Sequence, residues 1–239
     1  MKYIFGPLRS RRLGNSLGIN LTPYKTCTFD CVYCQLGRTT VKTEERKEYI
    51  PQEEIINELK LWLSNNAEEA KSLDFITLSG SGEPTLNLKL SQLIAQIKSL
   101  TSVPVAIITN ASLLRMPALR RECLSADAIL PSLDAVVQGA FTKINRPQEG
   151  MNVEDVIKGL IELRREFKGK IWLEVMLVRG INDDLRYIKK LKEAADKINP
   201  DKIHLNSPVR TTAEPDISPV DQKKLKKIKE ILGEKAEII

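Results

Sequence analysis

Histidine is almost absent from this chain of 239 residues, where His204 stands alone. Cysteine is scarce too: four residues and no secretory leader argue against a disulfide framework. No apolar run approaches the ~20 residues that a membrane span requires. The first residues, Met1-Lys2-Tyr3-Ile4-Phe5-Gly6-Pro7, hold no stretch long enough for a signal peptide. A soluble, cytoplasmic protein is expected, with no membrane partner and in a reducing compartment where free thiols survive. Acidic residues are in deficit, 31 against 37 lysines and arginines, for a formal net charge of +6. Lys2, Arg9, Arg11, Arg12 and Lys25 all precede the first acid, Asp30, and a second basic cluster runs from Lys223 to Lys229. The later lysines alternate with Leu225, Ile228 and Ile231, as on a solvated helix face. The Arg9–Arg12 stretch lies just upstream of the cysteines and suits RNA or a phosphorylated ligand.

What the chain does have is a concentration of thiols. Three of its cysteines fall in Thr26-Cys27-Thr28-Phe29-Asp30-Cys31-Val32-Tyr33-Cys34, a C-x3-C-x2-C spacing. Soft thiolates suit zinc, copper(I) or an iron–sulfur cluster. A structural zinc site or an electron-carrying cluster is normally closed by four ligands. Three thiolates therefore point to a centre with one open position, where chemistry takes place. The competing readings are chance, or half of a zinc knuckle completed by distant His204. Cys123 sits at an apolar position of a helical pattern and reads as a buried free thiol.

After residue 50, helix and strand patterns alternate. Pro51–Asn65 reads as a helix with Pro51 in its first turn, and Leu88–Leu100, Met116–Leu124, Asn152–Phe167 and Asp184–Ile198 carry helical periodicity. Apolar runs at Leu17–Leu21, Asp74–Leu78, Val105–Thr109, Ala128–Leu133, Ile171–Val178 and Lys202–Asn206 make six strands. Alternating units of this kind build a parallel sheet covered by helices. Eight units need ~250 residues, so the expected fold is α/β, a partial (β/α)6 TIM-like barrel or an open doubly wound sheet. A single domain is expected over 1–239, with a basic N-terminal segment 1–16, a core 17–206 and a C-terminal segment with a basic helix, 207–239. In such folds reactive groups collect at the C-terminal ends of the strands. Here those ends carry the cysteine loop, Ser79-Gly80-Ser81-Gly82-Glu83-Pro84-Thr85, Thr109-Asn110-Ala111-Ser112, Ser132-Leu133-Asp134, Arg179-Gly180-Ile181-Asn182-Asp183 and Asn206-Ser207-Pro208-Val209-Arg210. Gly80 and Gly82 permit close backbone approach to a ligand. Glu83 suits an amino-acid ammonium, or simply the N-terminus of the next helix.

The cysteine loop with Tyr33 before its last cysteine, together with Gly80-Ser81-Gly82-Glu83-Pro84, resembles the radical S-adenosylmethionine (SAM) superfamily. The resemblance runs from Gly18 to about Asn206. Leu17-Gly18-Ile19-Asn20-Leu21, Cys31–Gly37 and Lys143-Ile144-Asn145-Arg146-Pro147 are similar to compact Fe–S oxidoreductases allied to wybutosine synthesis. The resemblance implies that Cys27, Cys31 and Cys34 hold a 4Fe-4S cluster whose open iron chelates SAM. Reductive cleavage of SAM would then give a 5′-deoxyadenosyl radical that acts on an unidentified substrate. It further implies an electron donor of ferredoxin or flavodoxin type. Tyr33 would lie by the adenine, and Gly80, Gly82 and Glu83 at the methionine ammonium. Asn110, Ser132 and Asp134 are candidates for the ribose and carboxylate, and Arg179 for the carboxylate or the substrate. The wybutosine enzymes carry a second cysteine set that this chain lacks. The alternative function is a non-catalytic zinc, Fe–S or electron-transfer protein.

Overall fold

The computed structural model describes residues 1–239. In chain order its elements are β1 (Ile4–Ser10), β2 (Gly14–Asn20), β3 (Thr26–Cys27), β4 (Val41–Lys42), α1 (Gln52–Asn65), α2 (Ala67–Ala70), β5 (Phe75–Ser79), α3 (Leu90–Leu100) and β6 (Val105–Thr109). They continue with α4 (Pro117–Cys123), β7 (Ala128–Pro131), α5 (Gln138–Ile144), α6 (Val153–Glu166), β8 (Lys170–Met176), α7 (Leu185–Ile198), β9 (Lys202–Asn206), α8 (Gln222–Leu232) and β10 (Ala236–Ile238). Helix starts follow local chemistry. Asn152, Asp184 and Asp221 each turn a side-chain oxygen onto a backbone N–H of the first turn of α6, α7 and α8. Pro51 occupies the cap position of α1 rather than its first turn.

The six expected strands are β2, β5, β6, β7, β8 and β9, neighbours in that order and all parallel. This is the α/β sheet with flanking helices that the apolar runs implied. Two further strands extend it: β1 lies antiparallel outside β2, and β10 lies parallel outside β9. The segments read as N-terminal 1–16 and C-terminal 207–239 thus each supply an edge of the sheet.

Strand alternation separates the two faces. Leu17, Ile19, Ile76, Leu78, Val105, Ile107, Ile129, Leu173, Val175, Ile203 and Leu205 point outward into the main core beneath the helices. Their neighbours point inward, where Leu13, Ala106, Ala128 and Leu130 form a separate small cluster with Phe75, Ile108 and Trp172 against it. The inner face also carries polar side chains, including Asn20, Glu174, His204 and Asn206.

The sheet is strongly curved. Arg12, in the β1–β2 turn, donates to Glu174 of β8 at 2.6 Å, and Arg11 donates to Asn206 of β9 at 3.3 Å. In a flat sheet β2 and β9, five strand spacings apart, would be separated by about 24 Å, beyond any arginine's reach. The hairpin turn therefore bridges the open side of a partial barrel.

Candidate functional site

The cysteine loop is anchored on both flanks. Upstream, Lys25 N–H donates to the Ser81 carbonyl at 2.8 Å and Glu83 N–H donates to the Thr26 carbonyl at 3.1 Å. The Gly80–Glu83 turn is therefore laced directly to the strand that carries Cys27. Two glycines make this possible. A Cβ on Gly82 would stand 1.9 Å from the Thr26 carbonyl oxygen, and Gly80 has φ +116° with Asn20 packed against it. Downstream, Asp30 N–H and Val32 N–H donate to the carbonyls of Asn145 and Ile144, and Gln148 N–H donates to that of Thr28. The Lys143–Pro147 stretch is thus the floor under the cysteine loop.

Glu83 is buried and accepts four hydrogen bonds. One carboxylate oxygen accepts from Thr85 N–H (3.1 Å), Thr85 Oγ1 (2.6 Å) and Thr109 Oγ1 (2.7 Å), and the other from Asn110 N–H (2.8 Å). It caps the short 3-10 turn Pro84–Leu86 and joins the ends of β5 and β6. Burial pushes its carboxyl above the ordinary range, against the pull of those four donors. Asp134 is a second buried acid. It accepts from Tyr33 Oη (2.5 Å), Asn145 Nδ2 (2.8 Å) and Met176 N–H (2.9 Å), and burial likewise raises its carboxyl. Tyr33 thereby ties the end of the loop to the β7 end. Ser132 bridges to Glu174 through the backbone.

Each of the three thiols has its own nitrogen donor. Asn110 Nδ2 lies 3.5 Å from Cys27 Sγ, Asn145 Nδ2 3.5 Å from Cys31 Sγ, and Lys25 Nζ 3.1 Å from Cys34 Sγ. A neutral thiol is a weak acceptor, whereas three donors on three sulfurs are what thiolates need. Burial, with the Glu83 carboxylate nearby, pushes Cys27 up to about 12, and burial with Asp134 nearby pushes Cys31 well above the usual thiol range. No three Cys, His, Asp or Glu side chains converge closely enough to share one metal ion. A single zinc would gather its sulfurs ~2.3 Å from one point. A four-iron cluster places each thiolate on a separate iron, so its ligands stay apart. The donor chemistry fits such an anionic, sulfur-bound group, although the sulfurs do not form a single-ion cage.

The structure therefore brings Cys27, Cys31, Cys34, Tyr33, Gly80, Gly82, Glu83, Asn110 and Asp134 into one connected network at the C-terminal ends of β2, β5, β6 and β7, with Ser132 at its edge. It does not bring in Arg179, whose side chain is exposed and makes no ion pair. His204 stands apart on β9, hydrogen-bonded to Glu174 at 2.8 Å rather than joining the cysteines. Cys123 is fully buried in α4, and Phe29 packs edge-on to Phe141 in the core. Lys25 and Asn145, which donate to Cys34 and Cys31, carry no motif that marks them for the site. Their only sequence signal is position, two residues before the first cysteine and inside the Lys143–Pro147 stretch.

A family model, that of the radical SAM superfamily, matches residues 21–195. The chain belongs to the radical SAM superfamily. Among this radical SAM protein's relatives, a UPF0026 protein of Methanocaldococcus jannaschii is 36% identical over 98% of this chain and 72% of its own length. A protein of Brachyspira hyodysenteriae named GTPase Obg is 42% identical over 95% of this chain, but the chain spans only 33% of it. No G-x4-G-K-S/T phosphate loop occurs in the present sequence. Among solved structures, a radical SAM methyltransferase from Sphaerobacter thermophilus superposes at TM-score 0.75 with 16% identity, covering 94% of this chain and 65% of that one. Archaeal TYW1 superposes at 0.60 with 18% identity, covering 92% and 72%. At these identities the likeness is one of fold. No helix is long and apolar enough to cross a membrane.

Proposed function

We propose that this protein is a radical SAM enzyme in which Cys27, Cys31 and Cys34 hold a 4Fe-4S cluster and the adjoining Gly80–Glu83 turn holds SAM. The observation that carries the reading is the lacing of that turn to the cysteine strand, with a nitrogen donor on every one of the three sulfurs. The chemistry the bound pair supplies is reductive cleavage of SAM to a carbon radical that takes a hydrogen atom from a substrate.

The protein's part is positioning. Gly80 and Gly82 keep the turn free of side chains where the methionine end of SAM would lie. Glu83 presents a carboxylate oxygen that accepts only the Asn110 N–H, with a lone pair left for an ammonium. Asn110 and Asp134, fixed by their own partners, stand where the ribose and carboxylate would be bound, and Ser132 lies beside them. Tyr33 holds the loop closed through Asp134 and offers its backbone to the adenine. The wybutosine-allied branch enters this reading as kinship of fold only, because Cys123 is the one cysteine beyond the three. A ferredoxin- or flavodoxin-type donor would supply the electron, and the substrate is unidentified.

Anaerobic purification and reconstitution test the reading. It expects about four irons and four sulfides per chain, and 5′-deoxyadenosine after reduction with SAM. Zinc in place of iron, together with no deoxyadenosine, would sink it and favour a non-catalytic metal protein.

A further inference from the structure

Lys25 is the least expected charge in the molecule. Its side chain is buried, with 3% of the residue exposed, although lysine ammonium groups are almost never fully buried without a partner. It makes no ion pair with any carboxylate. Its one side-chain partner is Cys34 Sγ, at 3.1 Å. The backbone at Lys25 is also held in the left-handed region, φ 57°, by hydrogen bonds that its carbonyl accepts from the Thr40 and Val41 N–H groups and one that its own N–H donates to the Ser81 carbonyl. The chain is thus bent so that a solvated side chain is carried inward to a sulfur. An isolated buried ammonium costs several kcal/mol, so the fold tolerates it only where an anion compensates. The buried acids of the network, Glu83 and Asp134, accept from other donors and make no ion pair with it.

We propose that Lys25 is the counter-charge of the iron–sulfur cluster, a positioning residue that raises the cluster's reduction potential and couples loading of the cluster to stability of the loop. This rests on the radical SAM reading above and names a function for a residue outside the ligand set. A cluster held by three thiolates is anionic, and one-electron reduction adds one more negative charge with no proton or bond exchanged. A fixed cation beside one thiolate stabilises the reduced form more than the oxidised form. Asn110 and Asn145 also donate to sulfur but carry no charge, so the larger electrostatic effect falls to Lys25.

The test is a dithionite titration, followed by electron paramagnetic resonance, of the anaerobically reconstituted wild type, Lys25→Met and Lys25→Gln. Methionine removes the charge and the donor, whereas glutamine keeps a donor and removes the charge. At fixed potential both variants should show a reduced-to-oxidised ratio about tenfold below wild type, a negative shift of about 59 mV for a one-electron couple. Without the cluster, Lys25→Met should melt above the wild type, because an uncompensated buried charge is gone, and loading should raise its melting temperature less. A variant that keeps the wild-type circular dichroism but fails to load also supports the assignment. Coincident potentials in loaded wild type and variants, or an unloaded Lys25→Met that melts below wild type, would overturn it. Wild type that takes up no iron and sulfide refutes instead the reading on which the proposal rests.

Discussion

Replacing Glu83 by alanine removes the acceptor on which four donors converge. The two hydroxyls, Thr85 Oγ1 and Thr109 Oγ1, can rotate toward other acceptors. The backbone N–H groups of Thr85 and Asn110 cannot, and a buried unsatisfied N–H costs about 1–3 kcal/mol. Two of them cost about 2–6 kcal/mol. Part of this is offset, because the carboxylate itself is penalised by burial, as its raised pKa records. The net loss expected for Glu83→Ala is about 2–3 kcal/mol. In a chain of this size that lowers Tm by roughly 4–12 °C. Glu83→Gln should lose about half as much, since its amide oxygen still accepts from Asn110 and only the Thr85 N–H faces an NH2. The pH dependence has a definite sign. A carboxyl whose folded pKa is raised contributes stability at low pH and loses it as pH rises through the folded value. The advantage of wild type over Glu83→Gln should therefore be largest near the ordinary glutamate pKa of about 4.3 and shrink above it. Urea unfolding of the unloaded proteins across pH 4–8 measures this. If glutamine costs as much as alanine, or if the wild-type advantage grows with pH, the account of Glu83 as a buried, multiply bonded tie is wrong.

Gly82→Ala should destabilise by about 3–5 kcal/mol, because its Cβ meets the Thr26 backbone at 1.9 Å. Gly139→Ala in α5 has open space and should be neutral or gain up to about 1 kcal/mol. Parallel urea curves compare the two, and equal costs would refute the steric argument. Glu174→Gln should cost about 1–3 kcal/mol, less than a fully buried pair because the Arg12 side chain is 28% exposed. The only imidazole in the chain should shift its NMR signals in the same variant, and unmoved signals would contradict the Glu174–His204 bond. Cys123→Ala should leave iron and sulfide content at the wild-type level. Its thiol lies buried in α4 and is pushed up to about 12 by that burial, so a fall in cluster content would place it in the ligand set after all.

The parallel core was legible because each of its strands is an apolar run bounded by turn residues. Val105–Thr109 and Lys202–Asn206 match to the residue. β1 was not legible, since Ile4-Phe5-Gly6-Pro7-Leu8-Arg9-Ser10 interrupts its apolar residues with glycine and proline, and its register shifts between Phe5 and Leu8. It forms because the free edge of β2 offers a ladder, which is a tertiary cause. β10 spans only Ala236–Ile238, too short to carry a period. In the site, the cysteines and the glycine turn announce themselves by spacing. The donors to sulfur do not: a lysine is a surface residue until the fold buries it, and Asn145 reaches Cys31 across 114 positions of sequence. Tyr33 shows the same limit. Its place beside Cys34 marks it for the site, but its hydroxyl bond to Asp134 depends on where β7 ends.

The arginine cluster also changes meaning once folded. As sequence, Arg9, Arg11 and Arg12 form one basic patch that could face RNA or a phosphorylated ligand. In the structure Arg12 is turned inward to Glu174, whereas Arg9 and Arg11 stay exposed, Arg11 spanning the barrel seam to the neutral amide of Asn206, so that neither of these two charges is paired with an acid. A ligand drawn by phosphate contacts loses affinity with salt at a slope of about −0.9 per contact on duplex DNA and about −0.7 on single strands. Two free arginines therefore predict a shallower dependence than three. Reversing the charge of all three at once would confuse the question, because Arg12→Glu sets two carboxylates against each other in the barrel and costs stability whatever the substrate. The informative comparison is Arg9→Glu alone against Arg12→Gln. If RNA binding responds to the first and not the second, the patch acts through its exposed end. If only the second matters, the effect runs through closure of the barrel seam rather than through contact with a nucleic acid.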